Sequence, residues 1–138
     1  MNNKPIAIVL GGANPHKALI QNLKDRGYYT ILMDFAENPV AKSVVDKHIR
    51  ESALDTDKIL EIASTLKADV VISTCGDQMN VVACYVAEKL GLPRPYDYKT
   101  ALNVTNKLLM KQMMMENNIP TSKYYRIERV ERISIHIV

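Results

Sequence analysis

Apolar positions in this chain come in two rhythms. Ile6–Leu10 is an unbroken apolar run, the mark of a strand buried on both faces of a parallel sheet, and Gly11-Gly12 cut it off. Leu19, Ile20 and Leu23 then fall on one helical face. Asn14 suits the cap of that helix, Pro15 its first turn, and Gly27 its C′ position. Tyr29–Met33 reads as a second strand ending at Asp34. The segment Phe35–Val45 contains Pro39 and predicts a loop with one turn of helix, and Lys47–Arg50 predicts a short third strand. Ile59, Ile62, Ala63 and Leu66 line one side of a helix capped by Asp55 or Thr56. Ala68–Ser73 is a fourth strand, followed by a turn at "TCGD". Gln78–Leu90 is a helix closed by Gly91, and Pro93 and Pro95 prevent its continuation.

Beyond Tyr96 the pattern changes. A short helical piece around Lys99–Val104 leads to a helix near Lys107–Glu116, which Ile119-Pro120 breaks. In the tail, Ile133, Ile135 and Ile137 alternate with Ser134 and His136, which is a strand period. The alternation of strands and helices predicts an α/β fold with a doubly wound parallel sheet over residues 1–95. A C-terminal helical arm follows over 96–125, then a short terminal strand or tail over 126–138. Ligands of such sheets bind beyond the carboxyl ends of the strands. That rule gathers Gly11-Gly12-Ala13-Asn14, Asp34 and Thr74-Cys75-Gly76-Asp77, which lie far apart in the chain.

Composition narrows the function classes. The 138 residues suffice for a real core in one domain, and 47% hydrophobic with 24% charged residues is ordinary for a globular protein. The 18 Lys and Arg are scattered, the net charge is +3, and no basic block tracks a phosphate backbone, so nucleic acid is not an expected partner. No apolar run approaches the ~20 residues of a membrane span, and Ile6–Leu10 is too short for a signal-peptide core. Cys75 and Cys84 make neither a disulfide framework nor a zinc pattern, which fits a reducing cytoplasm.

The chemistry-bearing residues each have two readings. Gly11-Gly12 lets the backbone approach a ligand, and the helix opening at Pro15 offers free N–H groups and partial positive charge to an anion. A tight first turn of any βαβ unit needs glycine as well. The dinucleotide fingerprint G-x-G-x-x-G fails, because Asn14 and Lys17 stand where glycines should. Asp34 lies about 20 residues past the loop, where a ribose-binding acid belongs, although capping the next turn is the commoner role. His16 follows the loop at the helix N-terminus, within reach of an anion, although a solvent-facing helix position is the commoner role for a lone histidine there. Cys75 reads as a small crevice residue with no partner base, and Cys84 as buried and inert. The run Leu108–Met115 reads as packing, with part of its face covered by something outside this chain.

Taken in order, "LGGANPH", "LKDRGYYTILMDFAENPVAKSVVDKHI", "DTDKILEIASTLKADVVISTCGDQMNVVACYVAEKLGLPRP" and "TNKLLMKQMMMENNIPTSKYY" resemble the N-terminal domain of ATP-grasp ligases. The carbamoyl-phosphate-synthetase-like and biotin-carboxylase-like bacterial members are the nearest in pattern, and the likeness runs from about Ile6 to Tyr125. It implies a Rossmann-like pre-ATP-grasp domain preceding two subdomains that clasp ATP. In that family ATP and Mg2+ convert a carboxylate to an acyl phosphate, which an amine or thiol captures. The resemblance implies that Gly11, Gly12, Ala13, Asn14, Asp34, Gly76, Asp77 and Gln78 line the acceptor-substrate pocket. It also implies that Lys107 reaches ATP phosphates, a role apt for a compact point charge. The family usually carries an acid before that lysine. Here Asn106 stands in its place and keeps the capping capacity but not the charge.

The expectation is the substrate-side domain of a carboxylate–amine or thiol ligase, truncated or one part of a split enzyme. Such a chain needs no cofactor of its own and does not catalyse alone. Its partners would be a small carboxylate or amine, the ATP-grasp subdomains in cis or trans, and a second copy in a homodimer, with no membrane. Two other readings stand beside it: a freestanding nucleotide-binding module using Gly11–Asn14 and Asp34, and an inert domain that self-associates through its tail.

Overall fold

Four strands form one all-parallel sheet in the computed structural model, which describes residues 4–125. Strand β1 (Ile6–Leu10) is central, with β2 (Tyr29–Met33) on one side and β4 (Val70–Ile72) on the other. Strand β3 (Lys47–Ile49) pairs with β2, giving the order β3-β2-β1-β4. The register sets Ile8 beside Ile31 and Val71. Successive side chains of a strand point to opposite faces. Ile8, Leu10, Ile31 and Met33 therefore pack with Ile59 and Ala63 of α2 (Thr56–Thr65) and Val86 of α3 (Asp77–Lys89). Ala7, Val9 and Leu32 pack on the other face with Ile20 and Leu23 of α1 (Asn14–Asp25) and with Ala41 of a 3-10 turn, Val40–Ser43. Helices on both faces make the sheet doubly wound, as the alternation predicts.

The chain runs outward from β1 through β2 to β3, then crosses to β4 on the far side of β1. Strand order thus reverses between β1 and β4, and a crevice opens at their carboxyl ends. The β2–β3 edge is tied by Asp46, whose Oδ2 accepts from both the N–H and the hydroxyl of buried Thr30 at 2.8 Å. Lys24 of α1 adds an ion pair to Asp46 at 3.0 Å.

Three helices carry side-chain caps. Asp55 accepts from Lys58 N–H (3.0 Å) at α2. Asp97 accepts from Thr100 N–H (2.7 Å) at α4 (Tyr98–Thr105), and Asn106 from Leu108 and Leu109 N–H at α5 (Lys107–Glu116). Asn14 is not the cap of α1. Ala13 is extended there and its carbonyl already accepts the His16 N–H, so Asn14 becomes the first helical residue. Gly27 and Gly91 take left-handed backbone just past α1 and α3, as their C′ reading requires.

The Met-rich run is packed on part of its surface, with Leu108, Met110 and Met114 half-buried. Helix α4 packs on α3 through buried Ala101 and an edge-on contact between Tyr98 and Tyr85, and α5 packs on α4 with none of its residues fully buried. Leu109, Met113 and Met115 are exposed, because α5 lies a full helix layer away from the sheet. The strand read in the tail lies outside the described residues.

Candidate functional site

The crevice is built by two loops. Gly11, at φ +95°, turns the chain out of β1 while its N–H bonds to Met33 O (3.0 Å). Gly12 N–H donates to Asp34 Oδ2 (2.7 Å), and Ala36 N–H to Asp34 Oδ1 (2.8 Å), so one carboxylate staples the loop after β1 to the loop after β2. A Cβ on Gly12 would stand 2.3 Å from Pro39 Cβ, which leaves room only for glycine. On the β4 side, Ser73 donates from its hydroxyl to Leu10 O (2.8 Å), and Cys75 makes the turn with left-handed backbone at φ +59°. Gly76 then starts α3.

These loops bound an open cleft of about 640 Å³. Gly11, Gly12, Ala13, Asp34, Gly76, Asp77 and Gln78 all line it, together with Cys75. Asn14 and Lys107 do not. Asn14 opens α1, while the Lys107 ammonium lies 3.7 Å from Asp77 Oδ2, with both side chains largely exposed.

Helices α1 and α3 both point their N-termini at this cleft, and neither has a side-chain cap, unlike the three other α-helices. The first intrahelical bond of α3 runs from Asn80 N–H to Gly76 O, leaving the amides of Asp77, Gln78 and Met79 without helical partners. Oriented N–H groups of this kind attract an oxyanion. The Asp77 carboxylate in the same wall attracts hydrogen-bond donors and cations, whereas both oxygens of Asp34 are taken by the loop amides. Exposed Phe35 and Leu54 form apolar lips opposite.

Several contributors are not evident from the pattern alone. His16 is buried, not solvent-facing, and lines the cleft beside Met79. The signal was available in its spacing: His16, Ile20 and Leu23 share one helical stripe, and that stripe packs inward. Cys75 is exposed at the cleft wall. Cys84 is buried, and burial pushes its thiol above the ordinary value of 9.0, so it stays protonated and unreactive. Among the described residues no group of three or more His, Cys, Asp or Glu is placed to hold a metal ion. No helix among them is long and apolar enough to cross a membrane.

Comparison with family models and with curated proteins returns no match. Solved structures do match. N5-carboxyaminoimidazole ribonucleotide synthetase from Thermotoga maritima aligns with a TM-score of 0.72 at 23% identity, over 93% of this chain and 34% of that one. Phosphoribosylglycinamide synthetase from Anaerococcus prevotii aligns with a TM-score of 0.77 at 17% identity, over 91% and 32%. L-amino acid ligase from Bacillus licheniformis gives 0.67 at 19%, over 98% and 36%. All three are ATP-grasp superfamily proteins. At these identities the likeness establishes a shared fold, and the chain spans about a third of the length of each.

Proposed function

We propose that this chain is the acceptor-substrate side of an ATP-grasp ligase of the carbamoyl-phosphate-synthetase-like kind, the catalytic whole being a longer assembly. One observation carries the reading: two uncapped helix N-termini, two glycine loops and two carboxylates converge on one cleft at the switch point of the sheet. That wall suits a small carboxylate or amine. On this reading Gly11, Gly12, Ala13, Gly76, Asp77 and Gln78 hold the substrate, with Asp34 shaping the loop they share. Asn14 orients the first turn of α1 rather than meeting the ligand. Lys107, paired with Asp77 across the edge of the cleft, is positioned to exchange that partner for an ATP phosphate supplied by the rest of the enzyme. The helical arm over 96–125 leads toward the subdomains that bind ATP, and two free thiols suit the cytoplasm.

The nucleotide-module reading is less well supported, because both oxygens of Asp34 already accept backbone N–H groups of their own loops. A ribose-binding acid needs at least one oxygen turned to the ligand. Two measurements test the proposal. The purified chain with ATP, Mg2+ and candidate acids should release no phosphate, and turnover by the chain alone would refute it. A thermal shift produced by NAD but by no small carboxylate or amine would favour the nucleotide module instead.

A further inference from the structure

Among the described residues, one buried side-chain polar atom lacks a hydrogen-bond partner: Nε2 of His16. The ring is only 1% exposed. Orphans of this kind are rare in folded proteins, so each calls for an occupant or a cause. Nδ1 of the same ring lies 3.3 Å from Ala13 O. A carbonyl oxygen only accepts, so Nδ1 carries the hydrogen, and Nε2 of the neutral ring presents a bare lone pair.

The surroundings of that lone pair are specific. A Cβ on Gly11 would stand 3.0 Å from Nε2 and 2.6 Å from Met79 Sδ, so ring and thioether flank the same glycine turn. Met79 gives Nε2 no hydrogen bond. An unbranched thioether side chain is easily swung aside. The cleft beyond has amides at the N-terminus of α3 that suit an oxyanion, and a carboxylate at Asp77 that suits donors. A ligand satisfying all of these carries an oxyanion and an N–H or O–H group side by side.

We propose that His16 is the specificity residue of this cleft, its Nε2 accepting a hydrogen bond from the amine or hydroxyl of a small α-substituted carboxylate that displaces the Met79 side chain. This rests on reading the cleft as a substrate pocket. The unsubstituted carboxylate leaves Nε2 unpaired and binds more weakly.

Uniformly 15N-labelled chain, titrated separately with acetate, glycolate and glycine and followed by NMR of its backbone amides and histidine rings, tests this. The amides of Gly11, Gly12 and Gly76 should shift with all three probes, whereas the His16 Nε2 resonance should move only with glycolate and glycine. One added hydrogen bond corresponds to dissociation constants roughly five- to tenfold below that for acetate. His16→Phe should bring that ratio to about one while retaining acetate binding, and the wild-type Nε2 signal decides alone if the variant does not fold. Glycine-amide shifts with a stationary Nε2, or equal affinities for all three probes, would overturn the role of His16 and leave the pocket standing. No shift at any of the three glycines would overturn both.

Discussion

Gly12 is the residue on which the cleft depends most directly. Its missing side chain lets Pro39 close over the loop while its N–H reaches Asp34. In Gly12→Ala the new methyl meets the Pro39 ring, a rigid group that cannot rotate away, so backbone must move. Overpacking of that sort costs about 1–3 kcal/mol, and we expect chemical denaturation to show a loss of that order. Gly27→Ala has open space around it and incurs only the left-handed backbone strain, so it should cost less. A second residue-scale prediction concerns Asp46. Burial works to raise its carboxyl, but the two Thr30 hydrogen bonds and Lys24 outweigh it and hold the group below its ordinary 3.8. A carboxyl lowered in the folded state contributes stability in full above its unfolded value, and loses it as pH falls through the folded one. Asp46→Asn should therefore be less stable than the parent near pH 7, with the gap closing as pH falls from neutral to below 3.8. A gap that stays constant across that range in urea titrations would remove Asp46 from the account.

Among the elements, α5 is the most exposed to single substitutions. Among the described residues its main packing partner is α4, and its start is held by the Asn106 side chain on two amides, at 3.0 and 3.2 Å. Asn106→Ala should cost about 1 kcal/mol through loss of the cap. The loss should appear first as faster amide exchange at Leu108 and Leu109, with the sheet core unchanged. Asn106→Asp, which restores the acid usual in the resembling family, should keep the cap and add a favourable charge at a helix N-terminus. Equal exchange in all three proteins would mean that α5 is held by something other than its cap.

At the scale of the whole molecule, long-period features were readable and short-range ones were not. The unbroken apolar run of β1, the stripes of α2 and the glycines closing α1 and α3 each depend on one dominant physical preference, and each occupies the place read for it. The cleft could be located because the topology of a doubly wound sheet puts loop ends together regardless of their separation in sequence. The burial of His16 departs from the commoner role of a lone histidine because it depends on the face of α1 and not on residue type. A polar ring on the stripe that faces the sheet is enclosed. Asn14 failed at finer grain still, since the chain enters α1 one residue earlier than its side chain suggests.

Asn106 ends α4 and begins α5, with no residue between them. The two helices therefore meet at a single-residue joint, and α5 is a lever mounted on it. Its 10 residues span about 15 Å, so a rotation of about 30° at Asn106 sweeps the Met115 end through roughly 8 Å. Lys107 sits next to the fulcrum and hardly moves. The ammonium near Asp77 and the exposed Met113 and Met115 thus occupy opposite ends of one short helix, which separates charge at the cleft from apolar surface on the arm.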